Sequence, residues 1–69
     1  MNTFGDNLRL LRKINNLSQK DFAIKLNTTQ QRVSEWECNK IEPTLYNLIK
    51  ILKVLNITFE ELTEGIENN

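Results

Sequence analysis

The stretch Gln19–Cys38, QKDFAIKLNTTQQRVSEWEC, reads as two short helices joined by a tight turn. Phe22, Ala23 and Leu26 place apolar side chains on one face of the first helix, and Val33 and Trp36 do so on the second. Asn27 stands where the chain must leave the first helix, and Asn tolerates the left-handed backbone better than any residue but Gly. Thr29 follows as the N-cap of the new helix, offering a side-chain oxygen to its free N–H groups. Ala23 is small, as close approach of two crossing helices requires.

Helix, tight turn, helix is the order of a helix-turn-helix. The second helix opens with Gln30, Gln31 and Arg32, three long polar side chains on its N-terminal turn. A DNA-reading helix carries such residues there, because that end points into the major groove. The block Leu17–Glu37, LSQKDFAIKLNTTQQRVSEWE, resembles the repressors and Cro proteins of lambdoid phages and the small bacterial regulators built like them. The resemblance runs from about Phe4 to Leu62. It implies an all-α, compact five-helix domain of the lambda-repressor-like type, with helices 2 and 3 as the motif. It also implies a transcriptional regulator that binds double-stranded operator DNA as a homodimer on a palindromic site.

Individual residues carry this expectation. A Gln amide can pair bidentately with adenine, donating to N7 and accepting from N6. Residues at the places of Gln30 and Gln31 read bases in the resembled repressors, so the match assigns base reading to both. Arg32 reaches a phosphate or a guanine. Ser34 and Glu35 lie further along the groove-facing side, where Glu35 either accepts from a cytosine amine or repels phosphate. Ser18 and Gln19 begin the motif's first helix, whose free N–H groups and positive dipole end suit a backbone phosphate. Thr29 and Lys40 join them as expected phosphate contacts, Lys40 because its position often touches phosphate in the resembled family. The resemblance further implies an ion pair between Arg12 and Glu37 that ties the reading helix to the scaffold.

The flanking chain supplies the remaining helices. Thr3 can cap a helix from Phe4, with Asp6 in its first turn and Phe4, Leu8 and Leu11 as its apolar stripe. Leu10 and Ile14 lie off that stripe and suggest a broad apolar face. Ser18 with Asp21 forms a short-armed capping box, and Thr58 with Glu61 forms a full one. Asn16, Asn27, Asn39 and Asn56 stand at the helix ends, where related regulators commonly carry Gly, and each precedes a Ser or Thr cap. Pro43 closes the longest loop, and a helix from about Leu45 presents Leu45, Leu48, Leu52 and Leu55 to the core. Ile49, Ile51 and Val54 fall outside that stripe. A short helix over Phe59 to about Thr63 ends before Gly65, so the domain spans residues 1–65 and residues 66–69 are a frayed tail. Ile57, Phe59, Leu62 and Ile66, with the loop before Pro43, form the expected surface of self-contact. Lys20, Lys25, Lys50 and Lys53 read as solvated.

Composition narrows the rest. A chain of 69 residues is one domain that buries only ~60% of its unfolded surface. Net charge is zero, but all nine Lys and Arg lie in residues 1–53 against five acids, while residues 54–69 hold four Glu and no base. A basic body of +4 and an acidic end of −4 can present a positive face to phosphate. One cysteine and no histidine argue against a disulfide, a metal site or a cofactor. Nothing resembles a nucleophile with its base or a glycine-rich phosphate loop, so an enzyme is not expected. No apolar run is long enough to span a membrane, and a cytoplasmic protein is expected. The alternative function is an antitoxin, which would bind its own promoter through the same motif and also bind a toxin protein. Trp36 reads as core and Cys38 as a surface thiol.

Overall fold

Ser or Thr begins every helix and Asn stops four of them. The structure, a computed structural model, describes residues 2–66. It contains α1 (Phe4–Ile14), α2 (Gln19–Leu26), α3 (Gln30–Glu37), α4 (Leu45–Leu55) and α5 (Phe59–Leu62). Thr3, Ser18, Thr29, Thr44 and Thr58 are the N-caps, each extended in backbone and accepting from the N–H three residues on. Asp6 and Glu61 return a bond to their caps and complete capping boxes. Ser18 and Asp21 make only the forward bond, so the short-armed box expected there is half formed.

The stops are equally uniform. Asn16, Asn27, Asn39 and Asn56 have φ of 59°, 57°, 60° and 54°. In each case the Asn N–H donates to the carbonyl three residues back, and the next N–H reaches five back, as Thr28 does to Ala23 O at 2.9 Å. That double closure is the Schellman motif, built here on Asn where Gly is more usual. At the motif's turn it compresses the connection to Asn27, Thr28 and Thr29, so α3 starts immediately after α2 stops.

The core is Leu8, Phe22, Ala23, Leu26, Val33, Trp36, Ile51, Leu55 and Leu62. Helix α2 packs on α3 and α4, and α1 packs on α3 and α5. Two faces differ from the apolar pattern. In α1, Leu10 and Ile14 are exposed, and Asn7 and Arg12 are buried instead because each finds partners. Asn7 Nδ2 donates to the carbonyls of Leu62 and Glu64 at 2.9 Å, closing α5 onto α1. In α4, Leu45 is 68% exposed while Ile51, expected off the stripe, is fully buried. Ile51 and Leu55 are the buried residues of α4, and Leu48, Leu52 and Val54 pack half-buried around them.

Gly5 brings the first turn of α1 against the end of α3. A Cβ there would fall 2.2 Å from Glu37 O, so no other residue permits this approach. Lys50, expected to be solvated, donates from Nζ to Leu26 O at 3.3 Å and so caps the end of α2. Of the expected frayed tail, Ile66 donates its N–H to Thr63 O at 3.1 Å, and residues 67–69 lie outside the described residues. No helix among the described residues is long and apolar enough to cross a membrane.

Candidate nucleic-acid interface

Helix α3 has two sharply different sides. Val33, Trp36 and Glu37 are buried against α1 and α2. Gln30, Gln31 and Arg32 are exposed, and Ser34 and Glu35 are half-buried at the margin of that open side. Thr29 Oγ1 accepts from Arg32 N at 3.1 Å and so satisfies one of the helix's unpaired first-turn donors. Of the five residues expected to read bases, Gln30, Gln31 and Arg32 stand on the side of α3 that the core leaves uncovered, and Ser34 and Glu35 at its margin.

Its attachment runs through one carboxylate. Glu37 Oε2 accepts from Arg12 Nε at 2.6 Å, and Oε1 accepts from Arg12 Nη2 and from Gln19 Nε2, both at 3.0 Å. Arg12 Nη1 also donates to Leu17 O at 2.8 Å. Glu37 thus joins α1, α2 and α3. Burial pushes its carboxyl up, but hydrogen bonds from Arg12 and Gln19 and the charges of Arg12 and Arg9 outweigh this and hold it below its ordinary value.

The expected phosphate contacts divide. Ser18, Thr29 and Lys40 are exposed. Gln19 is half-buried and gives one Nε2 N–H to Glu37, which ties α2 to α3 and leaves its second N–H for a further contact. Two residues were not legible as part of this region. Arg9 lies 3.6 Å from Glu37 Oε1 with its side chain 45% exposed, one helical turn before Arg12. That spacing was the signal available for it. Asn39 accepts at Oδ1 from Gly5 N and donates from Nδ2 to Thr3 Oγ1, both at 2.9 Å. Nothing local to its sequence announces partners more than thirty residues away.

The residues expected at self-contact also separate. Leu62 is fully buried in the core and cannot meet a second copy. Ile57 is half-buried and packs on the core, Ile66 is half-buried, and Phe59 is 52% exposed. Phe59 and Ile66 line a largely apolar groove of about 370 Å³ with Phe4, Pro43 and Leu48, and Glu42 and Thr63 complete its wall. Cys38 is an exposed free thiol.

A model of the helix-turn-helix family matches residues 8–62. YqaE of Bacillus subtilis strain 168, an uncharacterized HTH-type transcriptional regulator, is 32% identical over 65 residues. That match takes in 94% of this chain and 56% of the relative, so the chain spans little more than half its length. The P22 c2 repressor, crystallised in complex with a synthetic operator, matches with a TM-score of 0.86 at 25% identity. The match covers 94% of this chain and 98% of that one.

Proposed function

The chain belongs to the helix-turn-helix family, and from that premise we propose that it is a sequence-specific DNA-binding regulator of transcription. It enters the major groove with the N-terminal end of α3, acting as a homodimer on a palindromic operator. The observation that carries this is the two-sidedness of α3. Its inner side is locked by Val33, Trp36 and Glu37, while three adjacent long polar side chains stand free at its N-terminal end. Side chains that must match base edges have to be presented by a rigid support, and this helix has one. The structural likeness to a repressor crystallised with its operator supports the same orientation.

Gln30 and Gln31 read bases, Arg32, Ser34 and Glu35 extend the contact along the groove, and Lys40, Ser18 and Thr29 hold the backbone. Gln19 contributes by fixing the angle between α2 and α3. The homodimer forms through the apolar groove beside Phe59, with the exposed Leu45 and Tyr46 close by in sequence to its Pro43 wall. One domain of this size covers few base pairs, and pairing doubles the site. The test is selection of binding sites from random duplexes with the purified chain. Enrichment of a palindrome, with affinity that falls steeply between about 50 and 200 mM salt, is expected. No enrichment and no salt dependence would overturn the assignment.

A further inference from the structure

We propose that Asn39 is a positioning residue for DNA contact. Its side chain fastens the turn carrying Lys40 to the first turn of α1, and so sets where Lys40 stands relative to the phosphate backbone. This role presupposes that α3 reads DNA.

The four left-handed asparagines share one backbone conformation, yet they differ in what their side chains do. Asn16, Asn27 and Asn56 make no side-chain hydrogen bond among the described residues, so their contribution is the left-handed backbone itself. Asn39 has the same φ of 60° and in addition uses both ends of its amide. Oδ1 takes the N–H of Gly5, one of the α1 donors left without a partner inside the helix. Nδ2 donates to Thr3 Oγ1, the oxygen that also accepts from Asp6 N at 3.1 Å as the cap of α1. A left-handed position alone would be served best by glycine. The amide is what glycine would lack.

The location gives the bonds their consequence. Glu37, two residues earlier, joins the last turn of α3 to α1 and α2, and its carbonyl lies against Gly5. Lys40, one residue later, is exposed and donates its N–H to Glu35 O at 2.9 Å. The backbone that leads into Lys40 is therefore held by α3 on one side and by the Asn39 amide on the other. A lysine is a point charge on a flexible stem, and its reach to a given phosphate depends on where its Cα is held.

The test uses Asn39→Gly, which keeps the positive φ and removes both side-chain bonds. Asn56→Gly is the control for the backbone effect. In the full chain, Asn39→Gly is expected to stay folded and to lose about tenfold in affinity for the selected duplex, a usual size for coupling between contacting residues. The salt slope is expected to fall by about one, as for loss of one phosphate contact. In a Lys40→Ala background, Asn39→Gly is expected to have no further effect, which a general loss of stability would not produce. Full affinity in Asn39→Gly, or losses that multiply with Lys40→Ala, overturn the proposal while leaving the DNA assignment standing. Absence of salt-dependent duplex binding by the parent protein overturns both.

Discussion

Arg12 meets Glu37 in a two-pronged bridge, Nε to Oε2 at 2.6 Å and Nη2 to Oε1 at 3.0 Å. The pair joins α1 to the last turn of α3, with Glu37 fully buried at its side chain and Arg12 nearly so. Removing one member of such a pair strands the other charge away from water, at a cost of about 3–5 kcal/mol. Arg12→Met leaves Gln19 and Arg9 beside Glu37, so it is expected to lower stability by about 3 kcal/mol or less in urea denaturation. The double variant Arg12→Met with Glu37→Leu, which removes both charges, is expected to be more stable than either single change. Equal additive losses would show that the bridge carries no coupling.

The same carboxyl makes stability depend on acid. Glu37 is held below its ordinary value of 4.5 in the folded state, so the unfolded chain binds its proton first as pH falls. The contribution is present in full above that value and is lost as pH drops through it toward the lower folded value. Asp6, held down by the N–H and hydroxyl of Thr3, adds to the slope in the same direction. Melting temperature measured from pH 7 to pH 3 is expected to fall over the acid end of that range. Glu37→Gln should start lower and fall less steeply. An unchanged slope would remove Glu37 from the account.

Helix α4 shows where the pattern of residues was ambiguous. Its eleven residues include seven Leu, Ile or Val, so several stripes of helical period can be drawn through them. Only the packing partners choose among them, and the core takes the side with Ile51. Ile51→Ala is expected to cost about 2–5 kcal/mol, as truncation in a closed core does. Leu45→Ala should change stability by no more than about 0.5 kcal/mol, as exposed positions do. The reverse order, read by thermal or urea melts, would restore the register that the leucines alone suggest.

By contrast, caps and stops were legible because their chemistry is local. Thr29 and Asn27 act on neighbours within five residues, and the motif's turn follows from those two identities with little help from the rest of the fold. The tie from Gln19 to Glu37 and the Asn39 amide bonds were not legible, since their partners lie 18 to 36 residues away. Exposure, too, was only half legible: Gln30 and Gln31 stand out as a polar helix start. Leu62 looks like any other apolar residue of a short C-terminal helix until its burial is seen.

That burial sharpens the probe of assembly. Phe59→Glu places a charge in the apolar groove at a side chain already half in solvent, so the fold is expected to survive. Sedimentation is expected to show the parent as a dimer and this variant as a monomer, with weaker binding to a palindromic duplex and unchanged binding to a half-site. Leu62→Ala should instead cost about 2–5 kcal/mol of stability with no specific effect on assembly. A Phe59→Glu protein that remains dimeric would move the interface away from this groove.

Reading and holding can be separated at the open side of α3. Gln30 and Gln31 are neutral, so the affinity that they add has to come from hydrogen bonds matched to base edges. Lys40 is charged, and its attraction to phosphate is blind to sequence. Gln30→Ala or Gln31→Ala is therefore expected to cost about 1–3 kcal/mol on the selected duplex and almost nothing on random DNA. Lys40→Ala should weaken both and reduce the salt slope by about one. Both glutamines are exposed and lie outside the core, so their replacement leaves the fold intact and any change in binding is local. Titration of the three variants against selected and random duplexes at several salt concentrations reads all of these terms. Glutamine variants that lose equally on both duplexes would show that this end of α3 does not read sequence, whatever holds the protein to DNA.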